Sequence, residues 1–235
     1  MRSSALLCHR TPRLELMVDL TKEYESIADI GCDHAYLSVM LAQCGKRVIA
    51  SDVACGPHAK ARENIERFGL AGQIDLRLGD GLLTLAPEEV QAVVIAGMGG
   101  LVIADILKEG KYLLTEQMRL FLQPMRADEE LRTYLYKNGF KILSEHLVRE
   151  QRRIYTVMEV CLGKQTTNSA LDSAFSPALR QEKPPLFWEY FSWKKRILEG
   201  IIRNTANAEN AELKKEFEQK LLAYTLFEKE NGNAL

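Results

Sequence analysis

What this chain lacks narrows the field before any motif is read. Its 31 Lys+Arg stand against 32 Asp+Glu, a formal charge of −1 over 235 residues. With no excess of either sign, a uniformly basic coat for wrapping nucleic acid is excluded, and any basic face has to be local. No apolar run approaches the roughly 18–20 residues that a bilayer span requires. The opening stretch, Met1 to Leu16, sets Cys8, His9, Arg10 and Arg13 where a secretory leader needs unbroken apolar residues, so a cytoplasmic address and no membrane partner are expected. The five cysteines, at 8, 32, 44, 55 and 161, form no C-x-x-C pair, and the four histidines, at 9, 34, 58 and 146, form no H-x-x-x-H. Zinc spacing is therefore missing, the thiols read as reduced, and no metal site is expected.

What is present is the composition of a globular domain, 46% hydrophobic and 27% charged. From about Ser26, short β-rich apolar runs alternate with stretches of helical periodicity, the mark of βαβ units. Strands are expected at Ile27–Ile30, Arg47–Asp52, Ile74–Leu78, Ala92–Ala96 and Arg119–Leu122, and helices at Tyr36–Cys44, His58–Phe68, Gly100–Lys108 and Ala127–Asn138. Two further runs, Lys141–Val148 and Ile154–Leu162, flank the polar Arg149–Arg153 and read as a hairpin. The fold class is α/β: a doubly wound sheet closed by a hairpin, with ligands expected at the carboxyl ends of its central strands. After Gly163 the text changes. Lys164 to Ser176 reads as a linker, and then two apolar stripes, Phe187–Ile202 and Leu213–Phe227, separated by the polar Asn204–Asn210, read as an α-helical hairpin.

Chemistry gathers at the strand ends. Strand one closes in Asp29-Ile30-Gly31-Cys32-Asp33-His34, and strand two in Asp52 followed by Val53. A glycine turn after the first strand and an acid at the tip of the second grip a nucleoside, the acid accepting hydrogen bonds from ribose hydroxyls. The G-x-G-x-x-G that cradles a pyrophosphate is absent, and Asp33 occupies the loop instead. A carboxylate there repels phosphate and attracts the sulfonium and ammonium of S-adenosylmethionine, which makes that molecule the expected cofactor. Gly79-Asp80-Gly81 closes strand three, where an acid between glycines suits an adenine ring. Ala96-Gly97-Met98-Gly99-Gly100 closes strand four, where small residues leave a floor open for substrate.

The strings ADIGCDHAYL, GPHAKARENIERFGL, RLGDGL and VVIAGMGGLVIADIL, followed by LFLQP, resemble the bacterial tRNA (adenine-N1)-methyltransferase family, TrmK. The likeness runs from about Arg13 to the hairpin. It implies a class I, Rossmann-like methyltransferase domain over residues 1–162, a helical coiled-coil arm over 163–235, and methyl transfer to N1 of adenine 22 in tRNA. Its usual pattern has proline at Ser38, glutamate at Asp52, asparagine at Met125 and G-K-x-Y-E at Arg152–Thr156. The resemblance places Asp33 at the mouth of the cofactor pocket, so Asp33, with His34 second, is the expected catalytic group; an Asp at that point also reads as a cap of the following helix.

An adenine within folded RNA has to be unstacked, which phosphate contacts elsewhere must offset. Arg10, Arg13, Arg149, Arg152, Arg153, Lys194, Lys195 and Arg196 are the expected RNA contacts. Charge is divided accordingly: residues 111–153 carry nine basic side chains against six acidic, whereas 61–110 carry four against eight. Two other readings stay open at this point, methylation of an exocyclic amine and a catalytically silent RNA-binding module. The apolar stripes are compatible with a monomer or a weak homodimer.

Overall fold

A computed structural model describes residues 9–204 and 211–232; Cys8, the connection after Asn204 and the side chain of Leu213 lie outside the described residues. Helix α1 (Pro12–Leu20) leads into β1 (Ser26–Ile30), α2 (Tyr36–Gln43), β2 (Arg47–Asp52), α3 (Cys55–Arg67), β3 (Ile74–Leu78), β4 (Ala92–Gly99), α4 (Gly100–Gly110), β5 (Arg119–Arg126), α5 (Asp128–Lys137), β6 (Phe140–Glu150) and β7 (Arg153–Leu162). The seven strands lie in the order β3-β2-β1-β4-β5-β7-β6, parallel through β5 and antiparallel in the closing hairpin. The chain therefore reverses its winding between β1 and β4, the place where such sheets leave a crevice.

Two apolar layers follow from the strand pattern. All five residues of β1 are buried, as a central parallel strand covered on both faces requires. Ile103 and Leu107 of α4 with Leu131 and Leu135 of α5 cover one face, and Met17, Leu37, Met40 and Ile65 of α1 to α3 cover the other. Helix α1, an element beyond those expected, starts on Pro12 with Thr11 as its cap.

The strands at the ligand end are longer than expected. β4 continues through Gly97–Gly99 and β5 through Gln123–Arg126, with register shifts at Ala96, Met98 and Gly99. Glycines and Pro124 read locally as a loop, yet a bulged pairing accommodates them because an irregular ladder leaves some N–H groups unused.

The supposed linker is also corrected. Leu171, Ala174, Phe175 and Ser176 are buried, and Ser176 caps a short helix α6 (Pro177–Glu182). Phe175 lies within 6 Å, centroid to centroid, of Phe187, Tyr190, Phe191 and Tyr224. Its isolated position among small polar residues carries no periodicity, which is why the packing was illegible. The paired helices are α7 (Phe187–Asn204) and α8 (Ala211–Asn231); their aromatic core also takes in Leu147 and Ile154 of the β6–β7 hairpin.

A buried ion cluster ties this third core to the sheet. Arg132, fully buried in α5, donates to Glu145 of β6 at 2.5 and 3.3 Å, to Asp128 at 2.7 Å and to the Ser173 carbonyl at 3.0 Å. Glu145 also accepts from the Thr156 hydroxyl and the Ser176 amide. Burial pushes the Glu145 carboxyl up, but the guanidinium beside it prevails and holds it below the ordinary range. Arg132→Met should therefore cost about 3–5 kcal/mol, because Glu145 is left as an uncompensated buried charge. Adding Glu145→Gln should return at least about 1 kcal/mol of that loss in denaturant titrations. Equal stability of the single and double variants would contradict the cluster as described.

Candidate active site

The turn after β1 is held in a costly backbone shape. Gly31, Asp33 and Ala35 all have positive φ, at 71°, 46° and 56°. Non-glycine residues adopt this region at a cost of roughly 1 kcal/mol or more each, so surrounding contacts must over-determine it. Those contacts come from the end of β2. The amides of Gly31 and Cys32 donate to the Ser51 carbonyl at 2.8 and 2.9 Å, and the Asp33 amide donates to Asp52 Oδ2 at 3.1 Å. Asp52 Oδ1 accepts from the Ala54 amide at 2.9 Å, and its carbonyl accepts from Gly79 at 3.0 Å. From outside, Asn64 of α3 donates to the His34 carbonyl at 2.8 Å. One aspartate thus ties together the loops after β1, β2 and β3.

Across the crevice, Met98 of β4 lies over Gly31, where any Cβ would overlap its terminal methyl. Gly100 is crowded from behind by the Ala127 carbonyl, which lets α4 start tight against α5. The Gly97 amide donates to Gln123 Oε1 at 3.2 Å; the same oxygen accepts from Arg13 at 2.7 Å, and Gln123 Nε2 donates to the Pro124 carbonyl at 2.9 Å. Gln123 is fully buried, so this one amide aligns the bulged ends of β4 and β5. Gln123 lies within the LFLQP string, but nothing local in the sequence marks a buried glutamine as a brace.

Gly31, Asp33, Asp52, Val53, Asp80, Gly81, Ala96, Gly97 and Met98 accordingly converge on one end of the sheet. Asp33 is 67% exposed at its side chain, and among the described residues its carboxylate accepts no hydrogen bond; His34 Nε2 is 3.7 Å away, with its ring stacked on Tyr36. Asp33 does not cap α2, because Ala35 occupies the cap position with no side-chain bond. Each oxygen of Asp52 takes one backbone amide and retains a free lone-pair direction. The surface is rich in acid acceptors around a glycine floor, which fits a cationic nucleoside and not a dinucleotide.

Asp29 departs from its expected place among cofactor contacts. It is 4% exposed, beneath the loop, and accepts the Ser38 hydroxyl at 2.6 Å together with the Ser38 amide in the first turn of α2. Helix α2 starts without a local cap, and Asp29 supplies one from the neighbouring strand. It is a positioning residue for the loop.

The expected RNA contacts divide. Arg152 and Arg153 are exposed, with no acid partner among the described residues, and they share a cleft with Arg196. Lys194 lines that cleft as well but is only 7% exposed, its ammonium bound to Asp128 at 2.6 Å and Glu129 at 3.1 Å. That buried pairing removes it from an RNA-facing set. Arg13 is likewise engaged, paired with Glu150 at 3.0 Å and set over the Tyr155 ring at 5.0 Å. Arg149 is bound to Glu189, Lys195 to Glu228 at 2.5 Å, and Arg10 lies 3.9 Å from Glu15; none of these three lines the cleft.

Burial pushes the Asp29 carboxyl up to about 6, with Ser38 pulling against it. In the unfolded chain the group titrates near 4, so between about pH 4 and 6 the folded protein retains a proton that the unfolded chain has released. Raising the pH through that window lowers stability, by about 3 kcal/mol once complete. Asp29→Asn abolishes the dependence. Thermal melts from pH 4 to 7 should show stability shifting in the variant's favour as pH rises, whereas parallel curves would mean that the carboxyl is not held as described.

The model of the family described as TrmK, tRNA (adenine(22)-N(1))-methyltransferase, matches residues 27–225. A Bacillus subtilis protein named tRNA (adenine(22)-N(1))-methyltransferase is 32% identical over 213 residues, which span 87% of this chain and 89% of that protein. A Streptococcus pneumoniae protein solved in complex with S-adenosyl-L-methionine superposes with a TM-score of 0.81 at 31% identity, covering 93% of this chain and 99% of that one. Mycoplasma capricolum TrmK, solved with S-adenosyl-homocysteine, superposes with a TM-score of 0.76 at 26% identity, covering 92% and 96%. On the family match, the sequence identity and the shared architecture, this chain belongs to the TrmK family of tRNA (adenine(22)-N(1))-methyltransferases.

Proposed function

We propose that this chain methylates N1 of adenine 22 in tRNA, with S-adenosylmethionine as donor. The observation that carries the reading from the site itself is the convergence of Asp33, Asp52 and Asp80 on the glycine-lined ends of β1 to β4, within a fold shared with the TrmK family. Bound there, S-adenosylmethionine supplies an electrophilic methyl group on a positively charged sulfur.

Every other part of the task falls to the chain. Asp52 and Asp80 offer acceptors for the donor's ribose and adenine, and Val53 gives an apolar edge beside them. Gly31 and Gly97 bring bare backbone to the crevice, and Met98 narrows it. Adenine N1 carries its own lone pair, so the chain has to align it and need not deprotonate it first. Methylation leaves the ring cationic. Asp33, exposed and without a hydrogen-bond donor of its own, stabilises that developing charge at the exocyclic amine and later takes a proton from it. His34, 3.7 Å away, orients the carboxylate.

Residues 1–162 hold donor and reacting base, and 163–235 form the arm that engages the rest of the tRNA. The enzyme acts in the cytoplasm as a monomer or weak homodimer. Incubated with labelled donor, it should modify unmodified tRNA and leave tRNA with a replaced adenine 22 unlabelled; equal labelling of both would overturn the site assignment. Asp33→Ala should lower turnover well beyond tenfold while donor and tRNA affinities persist. Full turnover in that variant would return Asp33 to a purely structural role.

A further inference from the structure

A cleft of about 1330 Å³ runs from the end of β5 to the helical arm, lined at one end by Pro124, Met125 and Arg126 and at the other by Tyr190, Trp193 and Ile197. Its β5 end adjoins the strand that carries the methyl-transfer site's floor, since Pro124 and Arg126 pair with Met98 and Gly99 of β4. Trp193 projects from α7 and is 46% exposed. One face of its indole is backed by the Tyr190 ring, at 5.8 Å and 29°. Tyr190 cannot swing away, because it is buried and its hydroxyl donates to Asp128 at 2.8 Å.

The charge of the cleft is one-sided once its internal pairs are subtracted. Asp128 and Glu129 are held by Arg132, Lys194 and Lys220, and Glu189 by Arg149. Glu130 is then the acid left, facing Arg126, Lys137, Arg152 and Arg153, for which no acid partner exists among the described residues. An aromatic face braced from behind, in a cleft that also carries unneutralised guanidinium groups, is the chemistry that takes an unpaired nucleotide, base on the ring and phosphates on the arginines.

We infer that Trp193 is a base-stacking platform for an unpaired nucleotide of the tRNA near the target adenine, with Arg126, Arg152 and Arg153 holding the adjoining phosphates. The inference rests on the tRNA methyltransferase reading and adds a subsite to it. Unstacking the target adenine disrupts its neighbourhood, and a second platform on the arm captures a base released with it.

The test uses the full chain and unmodified tRNA transcript. Trp193→Ala should weaken tRNA binding and raise the KM for tRNA at least about fivefold, with kcat and donor affinity within twofold of wild type, and Trp193→Phe should restore most of the loss. Trp188→Phe leaves Trp193 as the one tryptophan. In that variant, tRNA should quench the indole fluorescence, and duplex RNA of the same length should quench it far less. Unchanged tRNA affinity in Trp193→Ala, or equal quenching by the duplex, would overturn the inference. So would a concentration-dependent dimer that Trp193→Ala dissociates, since a second copy would then be the occupant. Failure of the wild-type enzyme to label tRNA at all would instead defeat the underlying reading, and the two failures are distinct.

Discussion

The Arg132 guanidinium is the constraint on which the relation between sheet and arm depends. Itself fully buried, it reaches Glu145 in β6, Asp128 at the start of α5 and the Ser173 carbonyl. A cation so placed is costly unless its donors find acceptors, and this one draws them from its own helix, from β6 and from the segment before α6. Asp128 extends the cluster into α7 through Tyr190 and Lys194, and Glu129 extends it into α8 through Lys220. Tertiary geometry is thereby linked to chemistry. Asp128 directly follows the Arg126–Ala127 turn, and the Ala127 carbonyl crowds Gly100, so the same cluster borders the start of α4 at the end of β4.

The second organising feature is strain held by hydrogen bonds. Asp33 and Ala35 sit in left-handed backbone that their side chains disfavour, and Asp52 and Ser51 supply the acceptors that keep them there. The loop is consequently shaped before any ligand arrives. Pre-formed geometry spares the ordering cost that a flexible loop would incur on binding. Asp29 contributes from below: by capping α2 it fixes the helix that closes the loop, and Ser38 doubles that contact with its hydroxyl.

Much of this was legible in the text of the chain, and the misses share a cause. Strand alternation and the acids at successive strand ends depend on local order, so the doubly wound sheet and the converging Gly31, Asp52, Asp80 and Met98 could be read directly. Three kinds of information could not. Strands β4 and β5 run on through glycine and proline because of a bulged ladder between them, which is a property of the pair. Phe175 belongs to a core assembled from both helices of the arm, so its own neighbours in sequence say nothing of its burial. The roles of Lys194 and Arg13 turned on whether an acid from elsewhere in the chain met them; 65 residues separate Lys194 from Glu129, and 137 separate Arg13 from Glu150.

That pairing explains why a near-neutral protein can serve a polyanion. Most bases on the arm and the entry helix are matched to acids, and their work is to fasten elements together: Arg13 to the hairpin, Lys195 to α8, Arg149 to α7. A surface charge already paired attracts phosphate weakly, since any gain must first disrupt the existing contact. What acts on RNA is the remainder after such pairing, a quantity set by the fold and invisible to composition. In the cleft that reaches the end of β5, the remainder includes Lys137, Arg126, Arg152 and Arg153. Asp33 and Asp80 lie apart from that cleft, in the loops that follow β1 and β3. Charges of opposite sign are thus segregated by the fold, while the chain as a whole keeps a formal charge of only −1.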